Sequence, residues 1–145
     1  MHPLVRTLVV SVAVAVSGTA SAEPSDVVKY RQSVMKANGG HMAAAGAIVQ
    51  GKVAHKDRLP DHARALESLN KNIAALFPKG SDKETDAREE VWLKWAEFEK
   101  RAKDAQDKAG AFAKAVGAND MQAAAARYKE LGGACKACHQ DYRSD

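Results

Sequence analysis

Aromatic side chains are scarce in this chain, with two tryptophans, three tyrosines and three phenylalanines among 145 residues. A core built from it must rely on small residues, alanine above all. Two cysteines are too few for a disulfide-stapled scaffold. Runs of β-branched residues stop after the first sixteen positions, so no strand signal follows them. The one long apolar run, Leu8–Val16, is well short of the ~20 residues a membrane-spanning helix needs. Basic residues are interspersed with acidic ones rather than clustered, and the formal net charge is only +4, which argues against a nucleic-acid footprint.

That apolar run belongs to a leader. His2 and Arg6 precede it, and Ala20-Ser21-Ala22 follows as a small-x-small cleavage signal. Residues 1–22 are therefore read as a signal peptide and residues 23–145 as one exported domain, with no membrane anchor after cleavage. Losing Arg6 lowers the net charge to +3.

The domain is rich in alanine, lysine, glutamate and leucine, which favours helix. Helical periodicity predicts four stretches. The first spans about Asp26–Lys52, with Val27, Val34, Met35, Met42, Ala45, Ile48 and Val49 at helical spacing. Gly39-Gly40 inside it costs about 1 kcal/mol per glycine, which a bend or a close approach would explain. The second runs from Leu59-Pro60 to about Phe77 through Ala63, Leu66, Leu69, Ile73 and Leu76. After a polar linker at Ser81–Asp86, the third runs from about Ala87 to Val116, carrying Val91, Trp92, Trp95, Phe98, Ala102, Ala105, Ala109 and Phe112. Asn119 with Gln122 resembles a capping box for the fourth, which carries Met121, Ala125, Tyr128 and Leu131. Short connections favour antiparallel neighbours, hence an all-α, up-down-up-down four-helix bundle. Its alanine-rich interior holds few large side chains, so something else is expected to complete it.

Both cysteines fall in the fourth stretch, in Cys135-Lys136-Ala137-Cys138-His139. A disulfide between them would close almost no loop and stabilise little. A thioredoxin-like C-x-x-C belongs in a βαβ setting, and structural zinc needs four ligands. C-x-x-C-H is instead the attachment signature of haem c. Two thiols from one short segment add across the vinyl groups on one porphyrin edge, and His139 then supplies the imidazole to the iron. The predicted bundle thus encloses one covalently attached haem c.

This motif at the C-terminal end of a helical chain resembles the class II cytochromes c, which comprise cytochrome c prime and its low-spin, methionine-ligated relatives. The resemblance rests on the motif with Tyr142-Arg143 after it and Leu131-Gly132-Gly133 before it. Tyr30-Arg31-Gln32 through Gly39-Gly40-His41-Met42 match too, and Leu76-Phe77-Pro78, Val91-Trp92 and Phe98 match more loosely. Members of that family are four-helix bundles of this kind. The resemblance implies a periplasmic location, frequent homodimers packed through the first two helices, and redox partner proteins of unknown identity. It also implies haem-propionate contacts from Arg31 and Gln32, and Met35 as the residue facing the iron opposite His139.

Methionine ligation makes an electron-transfer site, whereas an open site admits small gases. The leading expectation is a periplasmic electron carrier with His139 and Met35 as axial ligands and no enzymatic activity. The alternative is a high-spin, five-coordinate protein binding nitric oxide or carbon monoxide, with Met35 covering the iron unbonded. Met42 shares Met35's face, about 10.5 Å away along the helix axis. His41 lies about 240° around the helix from Met35 and is expected to be exposed. His55 and His62 are read as solvated, Trp92 and Phe98 as core aromatics, and Arg143 as bordering the proximal side.

Overall fold

The computed structural model describes residues 24–144, so the leader reading lies outside the described residues. Five α-helices run in the order α1 (Pro24–Val49), α2 (Leu59–Asn70), α3 (Glu90–Leu93), α4 (Trp95–Gly117) and α5 (Met121–Tyr142). Single 3₁₀ turns at Lys56–Arg58 and Ile73–Leu76 flank α2. Among the described residues no helix is long and apolar enough to cross a membrane.

The four longer helices form a ring in which α1 packs on α2, α2 on α4, α4 on α5, and α5 closes more lightly on α1. Cross-helix pairs show that α1–α2 and α4–α5 run antiparallel, and on the α2–α4 side Glu67 lies near Gly110 while Asn72 N, just past α2, donates to Gln106 Oε1. His41 and Asn38 of α1 meet His62 and Asn70 of α2. Phe98 and Phe112 of α4 meet Tyr142 and Tyr128 of α5. On the fourth side Tyr128 Oη donates to the Met42 carbonyl at 2.9 Å. The expected up-down-up-down bundle is what the chain forms.

Boundaries differ from the periodic reading where single residues leave helical geometry. The second stretch breaks at Lys71, which is extended, and Asn72, which is left-handed at φ 58°. The third breaks at Lys94 (φ −117°, ψ 46°), splitting the short α3 from α4. The cap of α5 is Asp120, not Asn119. The Asp120 carboxylate accepts from Ala123 N at 2.9 Å, while Asn119 sits outside the helix at φ 55°. The buried stripe of α5 begins at Ala124, and Met121 and Ala125 are exposed.

The interior divides into two apolar clusters. In the first, Ala45, Ile48, Leu59, Ala63, Leu66, Ala109, Phe112, Val116, Ala124 and Leu131 draw on all four helices. The second is built from Ile73, Ala74, Phe77, Val91, Phe98, Ala102 and Tyr142. Its aromatics interlock edge to face, Phe98 standing 4.8 Å from Phe77 and 5.2 Å from Tyr142 between ring centroids. From Gln32 to Ala44 no residue of α1 is fully buried.

The glycine pair Gly39-Gly40, where a bend or a close approach was expected, has no protein atom within 4 Å of either added Cβ. A close approach occurs instead at Gly46, where an added Cβ would lie 2.3 Å from Tyr128 Oη and 2.9 Å from its Cζ. At Gly132 a Cβ would meet Met42 Cε at 3.8 Å, an ordinary contact, so α5 faces α1 there without needing glycine.

Three stability predictions rest on these contacts, all read by thermal or urea denaturation. Gly46→Ala must push the tyrosine off the Met42 carbonyl and is expected to destabilise by about 1–3 kcal/mol, as overpacking does. Gly39→Ala, unopposed, is expected to be neutral or to stabilise by up to about 1 kcal/mol through helix propensity. Asp120→Ala removes the side-chain cap of α5 and is expected to cost about 1 kcal/mol.

Candidate functional site

Helix α5 continues unbroken through the cysteine motif to Tyr142. Positions three and four apart share a helix face, so Cys135, Cys138 and His139 project to one side of α5. The two thiols are partly buried and not joined to each other. Cys135 packs on the first apolar cluster and Cys138 on the second, so the motif spans the line where the core divides. Burial raises the pKa of both, Cys138 to about 11 with Cys135 next in effect. Both are therefore neutral thiols at neutral pH.

His139 lies at the exposed edge of this face. Partial desolvation and then the Arg143 cation hold its imidazole below the usual histidine range, leaving it neutral with a lone pair to donate. It lines an open hollow of about 630 Å³ with Arg88, Lys136, Gln140 and Arg143. Arg143 lies just past the end of α5, exposed and beside His139 in this hollow.

A backbone clamp fixes the end of α5. Arg88 N donates to Tyr142 O at 2.9 Å, Ser144 N to Asp86 O at 2.8 Å, and Arg88 Nη1 to Gln140 O at 3.3 Å. The segment from Ser81 to Asp86, read as a linker, therefore ties α5 down. It also holds Arg31.

Arg31 is buried, at 3% exposure. Its Nη1 donates to Leu76 O (3.1 Å) and Ser81 Oγ (2.8 Å), and its Nη2 to Ser81 O (2.8 Å) and Thr85 Oγ1 (2.9 Å). The guanidinium lies over the Phe77 ring at 4.5 Å and nearer the edge of cation–π range to Trp92 at 5.9 Å. Trp92 Nε1 is anchored on the carbonyls of Phe77 and Pro78. Burial lowers the Arg31 pKa from its ordinary value. No carboxylate pairs with it among the described residues, and Nε is the donor its protein partners leave unused. A buried cation with only neutral oxygens around it suits the carboxylate edge of a haem.

Met35, one turn after Arg31, is half-buried and packs on the second cluster, the one Cys138 touches. Met42 packs on the first cluster, the one Cys135 touches. The two methionines that periodicity could not separate thus lie against different halves of the core. Gln32 is exposed. Trp92 and Phe98 are core aromatics, whereas Trp95 of the same stripe faces outward. His41 and His62, both expected at the surface, are half-buried and meet each other across α1 and α2.

Free thiols, a neutral imidazole, a thioether and an unpaired buried cation together fit haem c. When bound, the haem supplies an iron centre for one-electron exchange or ligand uptake. The thiols would hold its edge, and His139 the iron.

Comparison with known proteins agrees. The family model for cytochrome c prime matches residues 26–143. Cytochrome c prime from Rhodospirillum rubrum is 32% identical over 145 residues, covering 97% of this chain and 99% of the relative. Cytochrome c-556 from Rhodopseudomonas palustris is 29% identical over 152 residues, covering 97% of each. Solved structures of Alcaligenes xylosoxidans cytochrome c prime variants, one a nitric oxide complex and one carbon monoxide-bound, superpose with TM-scores of 0.80 at 30% identity. They cover 86% of this chain and 98% of theirs. The chain carries one covalently bound haem c and belongs to the cytochrome c prime family of class II cytochromes c.

Proposed function

We propose that this is a periplasmic haem c protein that takes up nitric oxide or carbon monoxide on the side of the ring away from His139, without chemically transforming it. Met35 covers that side rather than bonding there. The observation that carries this reading is the company Met35 keeps. The residues of its cluster are aliphatic and aromatic, Ile73, Phe77, Trp92 and Phe98 among them. Such a lining suits a small neutral gas and holds no histidine or carboxylate to activate a peroxide, and burial pushes the Tyr142 phenol above its usual range. The nearest histidine along α1, His41, is occupied by His62. Relatives solved as nitric oxide and carbon monoxide complexes support the same reading.

Within it, Arg31 and its hydrogen-bonded cradle hold a propionate through the remaining Nε donor. Gln32 is exposed on the adjacent position, and in this reading it touches no more than the outer edge of such a group. Helix α5 keeps His139 in register through the clamp at Arg88 and Ser144.

Electron transfer with Met35 as the second axial ligand is the second reading. It is favoured by Met35 and Cys138 packing on one cluster and by the likeness to cytochrome c-556.

Absorption spectra of the purified protein in both oxidation states separate the two. Gas uptake predicts broad high-spin bands, ready carbon monoxide binding, and no change of spin state in Met35→Ala. Removing the cap should speed carbon monoxide association by about tenfold or more, equivalent to about 1.4 kcal/mol of barrier. A low-spin spectrum whose methionine-to-iron band vanishes in Met35→Ala would establish the carrier instead. Mass spectrometry of a Cys135→Ser, Cys138→Ser double variant is expected to show the bare chain, against chain plus one haem for the parent.

A further inference from the structure

His41 and His62 form a cluster that haem binding does not use. Their Nδ1 atoms stand 3.0 Å apart, with ring centroids at 5.3 Å and planes inclined by 57°. One ring comes from the middle of α1 and the other from the first turn of α2. Both are half-buried, so each keeps one edge toward solvent.

The helices hold the rings opposed. One turn away, Asn70 Nδ2 donates to Asn38 Oδ1 at 2.8 Å and to Leu66 O at 2.7 Å, and Asn70 is buried. On the other side, Ile48 and Leu59 lock the two helices in the first apolar cluster. Packing on two rigid elements thus keeps the imidazoles opposed, which lowers the ordering cost of bringing both to one ion.

Two nitrogens bound to one zinc ion at about 2.0–2.1 Å stand about 2.9 Å apart at a right angle and about 3.4 Å apart at the tetrahedral angle. The observed 3.0 Å lies within that span; with the ring centroids 5.3 Å apart the two Nδ1 atoms point at each other, so each ring must tilt to turn its lone pair to a shared ion. We propose that His41 and His62 form a second metal site, separate from the haem, which takes a divalent late transition cation such as Zn²⁺ through both Nδ1 atoms. Imidazole is the ligand such cations prefer, and solvent or an external donor completes the coordination. In the metal-free pair one Nδ1 carries the proton that bridges to the other. On metal binding that proton moves to Nε2 of the same ring, both Nδ1 lone pairs turn to the ion, and no net proton is released.

The test is calorimetric titration of Zn²⁺ into the purified holocytochrome, beside His41→Ala, His62→Ala and His55→Ala. The expected result is a saturable site on the parent and on His55→Ala, with affinity falling roughly tenfold or more in each of the other two. Unchanged affinity in both His41→Ala and His62→Ala, or no saturable binding to the parent at millimolar zinc, overturns the proposal. Helical circular dichroism and the haem spectrum verify that the variants fold. His62→Gln, which keeps a polar group of similar reach, is titrated alongside and should lose the site as well.

Discussion

Everything in this molecule depends on presenting two thiols and an imidazole to one ring from a single short segment. An α-helix does this without special geometry, because offsets of three and four residues share a face. What the fold must add is a fixed position for that helix end, since the last turn of a helix lacks partners for its carbonyls. Here the clamp from Asp86 and Arg88 takes up Tyr142 O, and Tyr142 itself is wedged against Phe98. The antiparallel bundle brings α1 alongside, so Met35 and Met42 lie level with Cys138 and Cys135 in opposite halves of the core.

The same constraint explains the low count of large side chains. Between Gln32 and Ala44 the first helix buries nothing completely, and the aromatics concentrate beyond it, around Phe77, Phe98 and Tyr142. These rings do two things. They supply apolar burial that alanine cannot, and one of them, Phe77, floors the Arg31 guanidinium. Arg31 joins α1 to the segment 81–85, which continues into the clamp on α5. A single cation therefore connects the distal helix to the haem-bearing one through hydrogen bonds rather than packing.

Much of this was legible beforehand. The four long stretches, their antiparallel order and the attachment motif follow from periodicity and spacing, which are local. What escaped was decided by single residues or by partners distant in sequence. Asn72 and Lys94 interrupt stripes that continue unbroken in hydrophobicity, so periodicity runs straight across them. Asp120 wins the cap over Asn119 because the backbone turns one residue later. The rotation separating His41 from Met35 was correct, yet exposure did not follow, because α2 brings His62 onto that other face. Likewise the polarity of Ser81 and Thr85 reads as a linker until the arginine they receive is seen, fifty and fifty-four positions earlier.

That buried arginine also decides which observable can separate electron transfer from gas uptake. A buried cation with no protein carboxylate beside it, stacked on Phe77 of the cluster that Cys138 touches, favours whichever oxidation state carries less positive charge, by as much as the propionate it holds leaves unbalanced. Methionine ligation pushes in the same direction. A high reduction potential would therefore be produced by Arg31 alone or by Met35 alone, and could not be assigned to either. Spin state responds to the sixth ligand directly and hardly at all to a charge at the ring's edge. The physical question at Met35 is one of bonding rather than field, and only a probe of bonding answers it.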